Sequence, residues 1–339
     1  MNLLYEKTAD LIEERIKNKV YAVSSRLPGE DKLAGELKIS RSTLHKALRL
    51  LKAKGLINCR PSIGNFVLKI PRTKRLYAYV APNLSDPFHA EFIRLFNMKV
   101  VEEGGSLLID DNSYASADQI VSRLKEENVD GVVYCPGDVD ESHFLKESGI
   151  PALWLTSMSG CRTIDYIAMN NEQGIKAVLQ HLCESGIKSV GYAKGVSSSK
   201  FAVRKDIFLD NVESFGLATD KNWILEVKKD GEEGGKKLFQ KFINLEIKPD
   251  ALVFYNDWNA IGFIETALNY GMDIPGDLRV TGFDNLPLSK FYKVPLTTVD
   301  YHLPELVAQA HKMLSKRITN VSMKRQHYIA DCSLIVRKS

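Results

Sequence analysis

Two groups of side chains in this 339-residue sequence have the types and spacing to do chemistry. The first is Ser40-Arg41-Ser42-Thr43-Leu44-His45-Lys46-Ala47-Leu48-Arg49-Leu50-Leu51-Lys52, where Arg41, His45, Lys46, Arg49 and Lys52 share a face that holds no acid. Cations that meet phosphates, beside small hydroxyls that reach base edges, are what a helix needs to enter a DNA major groove. Taken alone, the same pattern also fits a solvated basic helix. The second group stands at the ends of apolar runs: Ser85-Asp86-Pro87-Phe88, then Asn256-Asp257 after Phe254-Tyr255, then Asp284-Asn285 after Val280–Phe283. Carboxylates and amides placed there hydrogen-bond pairs of hydroxyls, while aromatic rings cover the apolar face of a sugar. Capping of the following helix is the competing role. For Asp257 the two roles are equally compatible; Asp284, followed by Leu286-Pro287 and no helical pattern, is assigned to a ligand.

The elements that must carry these residues follow from periodicity. Leu44, Ala47, Leu48 and Leu51 recur at helical spacing, Ser40 is an N-cap and Gly55 a stop. Leu4, Thr8, Leu11, Ile12 and Ile16 form an earlier helical stripe, and Glu30–Leu37 a short helix with Leu33, Ala34 and Leu37 inward. Helix, tight turn Lys38-Ile39-Ser40 and helix make a helix-turn-helix. Residues 56–60 and 65–68 read as two strands of a wing, joined by Pro61-Ser62-Ile63-Gly64. Lys69–Arg75, with four cations and a proline, is an interdomain linker.

From Leu76 the period alternates between short apolar runs and helical stripes. Strands are expected at 76–80, 107–110, 129–134, 152–155, 189–192, 224–227, 251–255 and 278–283. Helices are expected at 87–103, 117–127, 141–148, 172–185, 203–215, 234–244 and 260–270. Such alternation predicts α/β lobes with parallel sheets covered on both faces, with ligands at the carboxyl ends of the strands and a cleft between two lobes as the site.

Charge divides the chain in the same place. Residues 1–75 hold 17 Lys+Arg against 7 Asp+Glu, a balance of +10, and the remainder 29 against 35, a balance of −6. A basic head on a mildly acidic body is the footprint of a nucleic-acid reader joined to a domain with another task. No apolar run reaches the ~18 residues of a membrane span. The start, Met1-Asn2-Leu3-Leu4-Tyr5-Glu6-Lys7, lacks a signal-peptide pattern, so a cytoplasmic location is expected. Five scattered cysteines, none in a CxxC pair, argue against disulfides and against a zinc site. No GxGxxG, Walker, GxSxG or HExxH motif is present, and neither catalysis nor a cofactor is expected.

Two resemblances sharpen this reading. Tyr5…Ile16, Leu27-Pro28, Leu33-Ala34, Ser40–Leu44, Ala47-Leu48, Leu51, Gly55-Leu56-Ile57 and Gly64–Val67 resemble the winged helix-turn-helix of the GntR family of bacterial transcription regulators. The resemblance implies operator contacts at Arg41, Ser42, Thr43 and His45, with Lys46, Arg60 and the wing-tip Gly64 alongside. Asp31 and His45 stand where that family often has arginines, and the wing tip lacks the usual second glycine and basic residue. Asp86-Pro87-Phe88, Asp130–Val133, Gly149-Ile150-Pro151, Asn170–Gly174, His181-Leu182, Asn256-Asp257, Val280–Asn285 and Pro295–Val299 resemble the sensor domain of LacI-type regulators, itself related to periplasmic sugar-binding proteins. This second resemblance implies two lobes joined by three crossovers, a dimer, and effector contacts at Phe88, Ser159, Arg204, Asn256, Asp284 and Tyr301. Lys229-Asp230-Gly231 holds no aromatic where some members stack a sugar. The combination of head and body is similar to arabinose-type repressors.

The expected architecture is therefore a winged helix-turn-helix at 1–70, a linker at 71–75 and a two-lobed periplasmic-binding-protein-like (type I) domain at 76–339. Lobe 1 is placed at about 76–166 and 298–326, lobe 2 at about 167–297 and 327–339. The expected function is a sequence-specific repressor of operator DNA governed by a small carbohydrate bound between the lobes, acting as a homodimer. A cytoplasmic sugar-binding protein or a Rossmann-like enzyme without a DNA-directed role is the alternative.

Overall fold

A computed structural model describes residues 3–60, 63–68, 74–82, 84–111, 115–135, 148–155, 164–195 and 203–339. The chain divides into two compact units, Met1–Arg75 and Leu76–Ser339.

In the first unit, helices α1 (Leu4–Lys17), α2 (Glu30–Leu37) and α3 (Arg41–Ala53) precede an antiparallel hairpin of β1 (Ile57–Arg60) and β2 (Gly64–Val67). Their apolar stripes meet in one core, with Ile12, Ile16, Leu33, Leu44, Leu48, Leu51 and Val67 buried together. Each such side chain contributes roughly 1.5–3 kcal/mol when fully removed from water. Lys38 is left-handed at φ 51°, which ends α2 in a single residue and lets Ile39 N–H close on Ala34 O at 3.1 Å. Ser40 then caps α3 by accepting from Thr43 N–H at 3.2 Å. Gly55 at φ +67° stops it, a conformation that is costly for any residue with a Cβ. The linker expected at 71–75 lies largely outside the described residues.

The second unit is built on two six-stranded sheets. The first runs in the order β4 (Ser106–Asp111), β3 (Leu76–Ala81), β5 (Gly131–Tyr134), β6 (Ala152–Leu155), β7 (Asp165–Met169), β13 (His327–Ala330), all parallel. The second runs β9 (Ile224–Glu226), β8 (Val190–Lys194), β10 (Ala251–Phe254), β11 (Arg279–Phe283), β12 (Thr297–Asp300), β14 (Ser333–Ile335), with only β14 antiparallel. Helices α4 (Pro87–Glu102), α5 (Ala117–Glu126) and α11 (Leu303–Thr319) belong to the first sheet. Helices α6 (Asn171–Glu184), α7 (Val203–Asn211), α8 (Gly231–Ile243), α9 (Asp257–Tyr270) and α10 (Pro287–Phe291) belong to the second. The chain passes between sheets three times: after β7, after β12 and after β13.

These crossings correct the lobe limits expected at residues 166, 298 and 326. Strand β7 stays with the first sheet to Met169, β12 with the second to Asp300, and β13 with the first to Ala330. Each of these strands stays within one sheet along its length, so each switch falls in the non-strand residues that follow it: Asn170, Tyr301-His302 and Asp331-Cys332. The strands and the two helices after Phe283, α10 and the 17-residue α11, were not anticipated beyond the Pro295–Val299 motif. The helix expected at 141–148 lies almost wholly outside the described residues.

One buried ion pair fastens the first lobe. Arg317, on α11, donates from Nε to Asp165 Oδ2 at 2.6 Å and from Nη2 to Asp165 Oδ1 at 2.9 Å. Its remaining N–H groups reach the carbonyls of Val321, Met323 and Lys324 at 2.7–2.9 Å, and Asp165 Oδ1 also accepts from Gln326 N–H at 2.8 Å. The charge is thus satisfied on every side.

Candidate functional site

In the head, α3 presents Arg41, Ser42, His45 and Lys46 to solvent while Leu44, Ala47, Leu48 and Leu51 face inward. The two hydroxyls expected at base edges both turn toward the cap: Ser40 Oγ lies 2.9 Å from Ser42 Oγ and 2.8 Å from Thr43 Oγ1. Arg41 pairs with Asp31 of α2, and His45 Nε2 lies 3.0 Å from Glu30 Oε2. Lys46 Nζ sits 6.0 Å from the Tyr5 ring, and the Arg60 guanidinium stacks 4.6 Å over Phe66. Gly64 has φ +130°, and a Cβ there would meet Arg26 Nε at 2.8 Å. Arg26 therefore lies against the wing, where a bridge to Phe66 holds it. It supplies a cation to a wing whose own tip has none. Sequence reading missed it because its neighbours are forty residues away along the chain.

In the body, four of the expected effector residues converge. Arg204, on α7 and only 3% exposed, donates from Nε to Asn171 Oδ1 at 2.7 Å and from Nη1 to the Tyr255 carbonyl. The same Nη1 lies 3.6 Å from Asp284 Oδ1, and the guanidinium stacks 3.7 Å over the Phe283 ring. Phe283 stacks on Tyr301 (centroids 6.3 Å), and Tyr301 meets the edge of Phe88 (6.1 Å). The series runs from the second lobe through a crossing to the first, so side chains from both lobes are brought to one place. Each follows the carboxyl end of a parallel strand, where ligands of such sheets bind.

Asp284 and Asn285 have φ of 120° and 48°, a left-handed pair that costs of order 1–3 kcal/mol per residue. Asp257 holds that loop in place. Its buried carboxylate accepts from Leu286 N–H at 2.9 Å and from the Thr298 hydroxyl, and burial pushes it up to about 6. Asp257 is thus a strut rather than a cap or a contact. The cap of α9 is Asn256, whose Oδ1 accepts from Asn259 N–H at 3.0 Å, so its carbonyl is already committed. A one-turn helix, α10, does follow Asp284, contrary to expectation; it is too short for periodicity to reveal.

Burial pushes the Asp284 carboxyl well above the usual carboxylate range, with Arg204 opposing the shift. The Tyr301 hydroxyl is fully buried beside Asp284 and Arg204 with no hydrogen-bond partner among the described residues. A buried phenol left unpaired is costly, and a ligand hydroxyl would satisfy it. Ser159 lies outside the described residues.

Three further residues stand at this place: Asp86, one of the strand-end residues the sequence singles out, and Asp230 and Trp258, for which it gave no role. Asp86 caps α4 through Phe88 N–H at 2.9 Å, and its carboxyl is raised to about 6, chiefly by burial and further by Asp230. Asp230 accepts from Asn259 Nδ2 at 2.7 Å and from the Tyr255 hydroxyl. Beside it the Trp258 indole occupies the space over Gly231, where a Cβ would meet ring atoms at 2.5–2.7 Å. An aromatic is therefore present where Lys229-Asp230-Gly231 has none; it comes from the neighbouring helix.

Behind Phe88, the buried His89 takes part in a short polar chain: Cys135 Sγ–H donates to Tyr79 Oη at 3.3 Å, and Tyr79 Oη lies 2.8 Å from His89 Nδ1. Burial lowers His89 to about 4 from 6.5. Between those values the unfolded chain binds a proton that the folded one refuses, so stability falls as pH drops through that window. The loss reaches about 3 kcal/mol once pH is below both values. Asp86 and Asp257, raised to about 6, act in the opposite sense over part of that range, so the His89 contribution is read as a difference. In urea unfolding at pH 7, 5.5 and 4.5, wild type should lose roughly 2–3 kcal/mol relative to His89→Gln as pH falls, and parallel curves for the two proteins would refute the coupling.

Comparison with known proteins matches residues 4–67 to the bacterial regulatory proteins of the gntR family and residues 179–339 to the periplasmic binding protein-like domain. The HTH-type transcriptional repressor PurR of Mannheimia succiniciproducens is 27% identical over 308 residues, covering 89% of this chain and 90% of that protein. Catabolite control protein A of Priestia megaterium is 25% identical over 292 residues, covering 83% and 85%. Among solved structures, a transcriptional regulator CelR–cellobiose complex superposes with a TM-score of 0.69 at 18% identity, covering 92% of this chain and 100% of that one. A LacI family regulator from Enterococcus faecalis with bound ribose gives 0.68 at 19%, covering 78% and 98%. The relatives are named as regulators, not enzymes.

Proposed function

We propose that this chain, a GntR-type helix-turn-helix head on a periplasmic-binding-protein-like body whose relatives are LacI-type regulators, is a transcriptional repressor released from its operator by a small carbohydrate. The observation that carries the reading is the convergence of Phe88, Tyr301, Arg204 and Asp284 from two lobes on one unpaired phenol. Carboxylate, guanidinium and amide groups there suit vicinal hydroxyls, and Phe88, Phe283 and Trp258 suit the apolar face of a sugar ring. The structural relatives with cellobiose and ribose bound support that ligand class.

A guest that touches both lobes favours the inter-lobe angle it fits best, and it can shift the equilibrium only by its differential affinity for the two arrangements. In a homodimer, a change of angle alters the spacing of two heads and their fit to two half-sites. Arg41, His45 and Lys46 meet the operator, with Arg60, Gly64 and Arg26 at the wing; Ser42 and Thr43 serve through their positions in the first turn. The protein works in the cytoplasm, where the DNA is, and no helix among the described residues is long and apolar enough to cross a membrane.

The test is gel-shift binding to the DNA upstream of its own gene with and without ribose, arabinose, glucose and cellobiose. A sugar that weakens the complex should also raise the melting temperature of the free protein by mass action. Arg41→Ala should weaken specific binding about tenfold or more and leave the sugar-induced thermal shift unchanged. Failure to bind DNA under any condition would overturn the proposal.

A further inference from the structure

The acid that Arg41 engages is itself placed to read DNA. Arg41 Nε and Nη2 both point at a single oxygen of Asp31, Oδ1. The pairing uses one edge of the guanidinium and leaves the Nη1/Nη2 end, with its two parallel N–H bonds, unengaged by Asp31. That end is the fork which matches O6 and N7 of guanine. Asp31 keeps Oδ2, and the pair is open to solvent, with side chains 67% and 72% exposed for Arg41 and Asp31.

The neighbouring acid is used differently. Glu30 spends both oxygens inside the head, Oε2 beside His45 Nε2 at 3.0 Å and Oε1 accepting from Asn65 Nδ2 at 3.4 Å. It ties α2, α3 and the wing together, whereas Asp31 faces outward with an acceptor to spare.

We infer that Asp31 is a specificity-determining residue of the DNA interface, acting with Arg41 as one two-headed reader. Arg41 takes a guanine, and Asp31 Oδ2 accepts from the N4 amine of a cytosine in the adjoining base pair. A carboxylate in that place repels phosphate, so it contributes no backbone affinity. In the major groove it finds a partner only at a base amine, and thymine O4 or guanine O6 opposite it sets acceptor against acceptor. Asp31 also fixes the Arg41 fork in advance, which reduces the freedom lost on binding.

The inference rests on the operator-binding reading above and is tested separately from it. Wild-type protein and the Asp31→Ala and Asp31→Asn variants are each used to select sites from a random duplex pool, and affinities for the selected site and its single-base changes are measured at fixed salt. Wild type is expected to require a guanine with an adjoining cytosine and to reject thymine in place of that cytosine about tenfold or more. Asp31→Ala should lose that discrimination at this position alone while binding non-specific DNA as well as, or better than, wild type. Asp31→Asn, whose amide can also donate, should accept thymine or guanine there. Unchanged preference at every position in both variants would overturn the inference and leave the operator reading standing. A wild-type protein with no sequence preference would remove both.

Discussion

Arg204→Ala is expected to destabilise the body by about 3–5 kcal/mol, the usual cost of removing one partner from a buried charge pair, and to erase the response to effector. The guanidinium faces Asn171 Oδ1, the Tyr255 carbonyl, the Asp284 carboxylate and the Phe283 ring at once. Its removal leaves the carboxylate buried without a counter-charge and a void above an aromatic ring, and for a unit of this size the melting temperature should fall by roughly 10 °C. Asp284→Asn separates the two consequences. It keeps shape and most hydrogen-bonding capacity, so the fold should survive with a small thermal loss, while a sugar that depends on the carboxylate no longer shifts the melting temperature or the DNA complex. Operator binding should persist in Asp284→Asn. An unchanged sugar titration in that variant would show that the effector binds elsewhere.

The second large effect is expected far from any ligand. Asp165→Ala should also cost about 3–5 kcal/mol, because Arg317 keeps its three carbonyl partners but loses the charge that compensates it. Arg317→Met reverses the problem, leaving a carboxylate with little beyond the Gln326 N–H. The double variant Asp165→Leu/Arg317→Met removes both charges and should recover most of the loss, so that the two single costs are strongly non-additive. Additive costs in urea unfolding would mean that the two side chains act independently, against the geometry.

The parts of the molecule that could be read in advance were those written locally. Helix α3 was bounded by Ser40 and Gly55, and both act in the structure as their chemistry requires, one as a cap and one at positive φ. The alternation from Leu76 onward likewise revealed two parallel sheets, since long amphipathic helices between buried strands have few other solutions. Legibility failed after Phe283, where a five-residue helix and strands of three and four residues give periodicity too little length to register, and where the 17-residue α11 went unread although Leu303, Leu306, Val307, Ala310 and Leu314 recur at helical spacing. The lobe limits slipped by a few residues for a related reason: a crossing has no composition of its own. At the candidate sites, Arg204, Asp284, Phe88 and Tyr301 came from family resemblance. Arg26, Asp230 and Trp258 take their places through neighbours in space, and no spacing along the chain announces that Trp258 lies over Gly231. Ser42 and Thr43 show how local chemistry competes for the same groups. Their hydroxyls suit a base edge, but a capping serine two and three residues earlier engages them first.

Three passages between the sheets is an odd number, and parity has a mechanical result. The polypeptide leaves the head into β3 of one sheet and finishes, by way of β14, in the other. The head is therefore strung by its backbone to the half that carries Phe88, while Arg204 and Asp284 ride on the opposite half. Along the backbone, the path from those two side chains back to the head runs through the single crossing at Asn170.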